Sequence, residues 1–200
     1  RVHEQEMQSQ NFKNIENLKP VIPSGNSDSA SLDNVFELLT TSGHSAPLAK
    51  LMLIPDAWSK KSKLLPKEHL KLFNFLNSSM EPWDGPAAIA GTDNDWVIVA
   101  SDRNGLRPMR YTVTKDKLLF AGSETGMIEL NETNIIEKGR VGPGEILGLR
   151  IEKGKIFRNA EIKNHLAKTY KHFNNQIINL DKKFPIQKEK SLFEGNPLRE

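Results

Sequence analysis

The apolar residues of this chain change their period near Pro82, and that change limits the possible fold more than any other feature. Before it, Leu32, Val35, Phe36 and Leu39 fall at i, i+3, i+4 and i+7, the spacing of one helix face. Ser27, Asp28 and Ser29 stand where an N-cap is expected, and Gly43 closes the far end. Pro47–Ile54 is a second apolar segment that reads as helix. Pro66 opens a third, with Leu70, Phe73 and Leu76 directed inward. Beyond Pro82 the runs shorten to strand length at Ala87–Ala90, Trp96–Ala100, Arg110–Thr114 and Leu118–Ala121, with polar turns between them. Gly139, Gly142, Pro143 and Gly144 mark a tight bend. Glu145–Ile151 and Lys155–Arg158 then flank Glu152-Lys-Gly154 as a hairpin. A helix is expected from Glu161 to about Asn179, and a loose polar tail from Lys182. Helices grouped first and strands grouped second predict an α+β fold with helices packed on mainly antiparallel sheet.

Composition narrows the class. Two hundred residues, 37% hydrophobic and 26% charged, suit one globular domain. No apolar run reaches the roughly 18 residues of a membrane span, and no signal-type segment opens the chain, so a cytoplasmic setting is expected. The formal charge is +3, but its location matters more than its size. From Arg150 to Glu200 there are twelve Lys and Arg against six Asp and Glu, which leaves the earlier residues slightly acidic. A solvated basic helix and tail accounts for this better than a nucleic-acid face, and no nucleic-acid partner is expected. With no cysteine, the chain can carry no disulfide, thiolate metal site or cysteine nucleophile. His3, His44, His69, His165 and His172 show no metal-ligand spacing.

Three constellations could carry chemistry. Asp28 lies in Gly25-Asn-Ser-Asp-Ser29, directly before the first amphipathic helix. The N-terminal dipole favours an anion there, and such a carboxylate could receive a substrate ammonium. Taken alone, the position favours a helix cap, which is the commoner use. Asp102-Arg-Asn-Gly-Leu-Arg-Pro108 puts Arg103 and Arg107 beside a carboxylate and an Asn104-Gly105 turn. Arginine suits bidentate anion recognition, but pairing with local acids is the plainer account. Ala121-Gly-Ser-Glu-Thr-Gly126 fits neither phosphate-binding glycine motif and reads as a strand-ending turn.

Taken in order, these segments resemble the glutaminase domain of the glutamate synthase large chain. The resemblance rests on residues 27–39 (SDSASLDNVFELL), 51–58 (LMLIPDAW), 82–88 (PWDGPAA), 102–111 (DRNGLRPMRY), Ser123-Glu124 and 139–145 (GRVGPGE). It covers Arg1 to about Ile162. It implies a class II glutamine amidotransferase of the N-terminal-nucleophile hydrolase type, an αββα sandwich that is incomplete in this chain. The domains so implied are 1–162, the later part of that unit, and 163–200, a basic helical extension and loose tail. Asp28 then falls on the acid that grips the ammonium of glutamine, and binding displaces capping as its expected role. Ser27, Asp102, Arg103, Asn104, Gly105, Arg107, Ser123 and Glu124 are expected to support the sheet and site. The catalytic cysteine, the oxyanion Asn-Gly and the carboxylate-binding arginine are expected before Arg1.

The activity implied is hydrolysis of glutamine to glutamate and ammonia, feeding reductive transfer to 2-oxoglutarate, with this chain inactive alone. FMN and an iron–sulfur cluster are expected in the parent enzyme. Its remaining domains and a small reductase subunit are the expected protein partners. The competing reading is a non-catalytic glutamine-binding or assembly module.

Overall fold

The computed structural model of the chain describes residues 12–56 and 65–171. Four helices, α1 (Asp28–Thr41), α2 (Ala46–Leu53), α3 (Lys67–Ser79) and α4 (Asn159–Thr169), pack with two antiparallel sheets. The larger sheet runs β1 (Ala88–Thr92), β2 (Trp96–Ser101), β6 (Ile146–Arg150) and β7 (Lys155–Phe157) in that spatial order. The smaller runs β4 (Leu119–Gly122), β3 (Met109–Thr114) and β5 (Ile135–Val141). This is the α+β arrangement the sequence predicts, with sheets that do not close.

Local chemistry sets the helix ends. Ser27 is the N-cap of α1, its Oγ accepting the Ala30 N–H at 3.2 Å. The far end closes as a Schellman turn: His44 N–H donates to Leu39 O, Gly43 N–H donates to Thr40 O, and Gly43 takes a φ of 95°. In α2 the N-cap residue Ser45 makes no side-chain capping bond. Asp93, from the β1–β2 turn, takes the Ala46 N–H instead and also receives the N–H groups of Asp95 and Trp96. One turn carboxylate thus fixes both a hairpin and the helix above it.

The main core lies between the helices and the larger sheet. Trp96, Ile98, Ala100 and Ile146 rise from β2 and β6 against Leu48, Leu51, Leu72, Leu76, Ile162 and Leu166. Each of these large side chains contributes roughly 1.5–3 kcal/mol by burial. The other face of the same sheet offers Val99 and Leu147 to Met109 and Val141 of the smaller one. Helices, sheet and sheet make three successive layers, with the far face of the three-stranded sheet lined by the segment between β4 and β5.

Three expectations need correction. Leu70 is only half-buried, and α3 turns His69 and Leu72 inward with Phe73 and Leu76. Gly139 does not belong to a bend but to β5, a strand the sequence reading missed. A Cβ there would stand 2.2 Å from Cζ of Tyr111, so the glycine makes room for an aromatic ring laid across it from β3. The expected 102–108 turn joins strands of different sheets, β2 of the larger and β3 of the smaller. Finally, α4 begins at Asn159, earlier than the expected Glu161, with Ile162, Lys163, Leu166 and Ala167 all buried. The expected helix end near Asn179 and the tail from Lys182 lie outside the described residues.

Candidate functional site

Asp28 is the first residue of α1 and is exposed. The cap is Ser27, not Asp28, whose carboxylate makes no hydrogen bond or ion pair among the described residues. Ser27 is itself held in place, its carbonyl accepting from Ser31 Oγ at 2.9 Å. An acceptor with spare capacity therefore stands at the positive end of a fourteen-residue helix. Helix α1 is seated closely: a Cβ on Gly91 of β1 would lie 2.8 Å from Cζ of Phe36. One turn along from Asp28, Leu32, Phe36, Lys50, Leu53 and Ile89 surround a hollow of about 30 Å³.

Asp102 is the opposite case. It is 1% exposed. Its Oδ1 accepts the N–H groups of Asn104 and Leu106, each at 3.0 Å. Oδ2 accepts those of Arg107 at 2.8 Å and Ala87 at 3.2 Å. Burial alone pushes this carboxyl up, but the four backbone donors outweigh it and hold the group below the usual carboxylate range. Its main chain is tied as well, since the N–H groups of Gly105 and Gly144 donate to its carbonyl and its own N–H donates to Ala87 O. Gly105, at a φ of +68°, packs so closely on Pro143 that a Cβ would meet Cγ at 2.8 Å. The β2–β3 crossover and the β5–β6 turn are thereby joined, and the Asp102 side chain has no oxygen left for a ligand.

Two buried lysines complete this joint, and the sequence reading missed both. Lys50 on α2 is 1% exposed, and its Nζ donates to Gly144 O at 2.7 Å. Burial lowers its pKa to about 7, with Asp56, Asp102 and Glu145 opposing that shift and Lys163 adding to it. Lys163 on α4 pairs with Asp56, beyond the end of α2. Glu145 Oε2 accepts the Gly142 N–H at 2.9 Å. The signal available was a lysine on an otherwise apolar stripe: Lys50 within Ala46–Leu53, and Lys163 beside Ile162 and Leu166.

The remaining expected residues are distributed differently. Asn104 and Arg107 are exposed and Arg103 is half-buried. Neither arginine pairs with an acid among the described residues, so the local ion-pair explanation does not hold. Ser123 and Glu124 are exposed beyond β4, and Glu124 lines the outer hollow of the smaller sheet. No hydrogen bond or ion pair joins them to Asp28. Among the described residues no three His, Asp or Glu side chains form a metal-binding group. No helix there is long and apolar enough to cross a membrane.

Sequence comparison gives the family of the chain. The chain belongs to the class-II glutamine amidotransferases, whose family profile matches residues 1–175. It is 51% identical over 168 residues to the glutamate synthase [NADPH] large chain of Azospirillum brasilense, covering 84% of this chain and 11% of that one. The corresponding Bacillus subtilis protein is 38% identical over 171 residues, 85% of this chain and 11% of its own. The ferredoxin-dependent glutamate synthase of Cyanidium caldarium is 44% identical over 156 residues, 76% and 10% respectively. The chain thus spans about a tenth of the length of these relatives.

Proposed function

We propose that this chain is part of the glutaminase domain of a glutamate synthase large chain, in which Asp28 holds the α-ammonium of glutamine. The observation that carries the reading is the Asp28 corner. Ser27 takes over the capping bond, which leaves a carboxylate at the α1 N-terminus without a partner among the described residues. Kinship with glutamate synthase large chains supplies the substrate class.

In this reading glutamine is hydrolysed to glutamate and ammonia. A nucleophilic thiolate adds to the side-chain amide carbon, ammonia departs with a proton, and water releases glutamate from the acyl-enzyme. The 200 residues contain no cysteine, so that thiolate comes from outside them and the chain is inactive alone. Asp28 contributes orientation, fixing the substrate so that its amide meets the nucleophile. The Asp102 crossover contributes rigidity rather than contact, since both carboxylate oxygens are already occupied. Iron–sulfur ligation does not fit these residues, which lack cysteine, and FMN and the cluster belong to the rest of the polypeptide. A small reductase subunit would likewise dock elsewhere.

The test is glutaminase activity of the large chain carrying Asp28→Asn. Loss of a charge-assisted bond should lower kcat/KM for glutamine by about tenfold to a hundredfold. An unchanged kcat/KM would remove Asp28 from the substrate site.

A further inference from the structure

One motif of the sequence has no part in the glutaminase reading. Asn104 is the only asparagine in the 200 residues that a glycine follows. An asparagine side-chain amide is open to attack by the backbone nitrogen of the next residue, and glycine, lacking Cβ, hinders that attack least. Asn104 is exposed, so water and hydroxide reach it. Among the described residues no hydrogen bond engages its side-chain amide.

The surrounding backbone opposes the reaction. Residues 102–105 form a turn closed by the Gly105 N–H, which donates to Asp102 O at 3.1 Å. The amides on either side are held as well. Those of Asn104 and Leu106 both donate to Oδ1 of Asp102 at 3.0 Å, and that of Arg107 donates to Oδ2 at 2.8 Å. Gly105 is wedged at a φ of +68° against Pro143, where a Cβ would meet Cγ at 2.8 Å. The nitrogen that would attack keeps its proton on a carbonyl, and the peptide that would have to rotate is pinned before and after it.

We propose that Asn104 is a deamidation site that the Asp102 crossover holds shut, and that reaction there unfastens the crossover. When the turn opens, the Gly105 nitrogen gives up its proton and bonds to Cγ of Asn104. The Cγ–Nδ2 bond breaks, and ammonia leaves with that proton. Water then opens the cyclic imide. Cleavage between Cγ and the nitrogen leaves aspartate at 104, whereas cleavage between the nitrogen and the main-chain carbonyl leaves isoaspartate. Isoaspartate routes the main chain through Cγ and lengthens it by one methylene, which draws the Leu106 and Arg107 N–H groups off Asp102. The site is separate from Asp28, so neither assignment depends on the other.

The experiment ages the large chain at mildly alkaline pH, native and in denaturant, and follows the peptide spanning residue 104 by mass spectrometry. The mass reports conversion of amide to acid, and separate elution distinguishes aspartate from isoaspartate. In denaturant Asn104 should convert faster than every other asparagine of residues 1–200. In the native protein its conversion should be slower by about tenfold to a hundredfold, because opening breaks several backbone hydrogen bonds. Asp102→Ala should remove most of that protection; where this variant does not fold, the native and denatured rates of the wild type still decide. After native ageing, hydrogen exchange at Leu106 and Arg107 should be at least about tenfold faster in the isoaspartate-bearing peptides. Asn104→Gln, whose longer side chain closes a ring far more slowly, should age without that change. Equal native and denatured rates would overturn the proposal, as would a folded Asp102→Ala that keeps the protection. So would another asparagine that outpaces Asn104 in denaturant. Unchanged exchange in the isoaspartate-bearing peptides would do the same, since the crossover would then survive the reaction.

Discussion

Asp102 and Asp28 carry the same carboxylate into opposite surroundings. Asp102 is buried beneath the β2–β3 crossover with four backbone N–H groups on its two oxygens. Asp28 is exposed at the start of α1, where Ser27 takes the bond a capping acid would have made. The difference separates architecture from function more cleanly than residue type does. A carboxylate whose acceptor capacity is exhausted inside the protein holds segments together, whereas one with capacity to spare is free to meet a ligand.

The largest effect expected is at Asp102. Asp102→Ala strands backbone donors of Ala87, Asn104, Leu106 and Arg107, and should cost more than about 3 kcal/mol in a denaturant titration. A cost below about 1 kcal/mol would mean that water replaces the carboxylate, and the contrast with Asp28 would collapse.

Lys50 sharpens the comparison through pH. Its folded pKa of about 7 lies below the unfolded value of 10.5. Between these values the unfolded chain binds the extra proton, so stability rises with pH, while below pH 7 the cost of burying the charge is fully present. From pH 7 to 9 this gain should reach about 2–3 kcal/mol, and Lys50→Met should flatten it. Equal slopes in the two proteins, read from thermal melts across that range, would place Lys50 in water rather than under Gly144.

Gly139→Ala should cost roughly 1–3 kcal/mol, because the Tyr111 ring must leave its place across β5. Tyr111→Ala should remove most of that penalty in the double variant, which a double-mutant cycle detects. Asp28→Asn is the smallest structural change and should alter folding stability by no more than about 0.5 kcal/mol. A larger loss would return Asp28 to a capping or packing role.

Much of this was legible in the sequence, for physical reasons that also explain the failures. The apolar periodicity of Leu32, Val35, Phe36 and Leu39 marked α1 because burial acts on side-chain pattern directly. Trp96 to Ala100 marked β2 in the same way. β5 escaped notice because Gly139, a poor strand former, is required there by a ring twenty-eight positions earlier in the chain. The role of Asp102 was hidden because all four of its partners are backbone N–H groups, which no sequence motif displays. Lys50 was visible as a charge on an apolar stripe, but its target is a carbonyl ninety-four residues away. Asp28 is a special case: spacing alone favoured a cap, and resemblance to the family suggested a ligand. The structure adds that Ser27 makes the capping bond.

The most direct measurement compares L-glutamine with its analogue lacking the α-amino group, as substrates of the large chain with and without Asp28→Asn. If Asp28 holds the ammonium, the wild type should prefer glutamine over the deamino analogue in kcat/KM by at least about a hundredfold, and Asp28→Asn should lose most of that preference. A preference that survives intact in the variant would contradict the assignment.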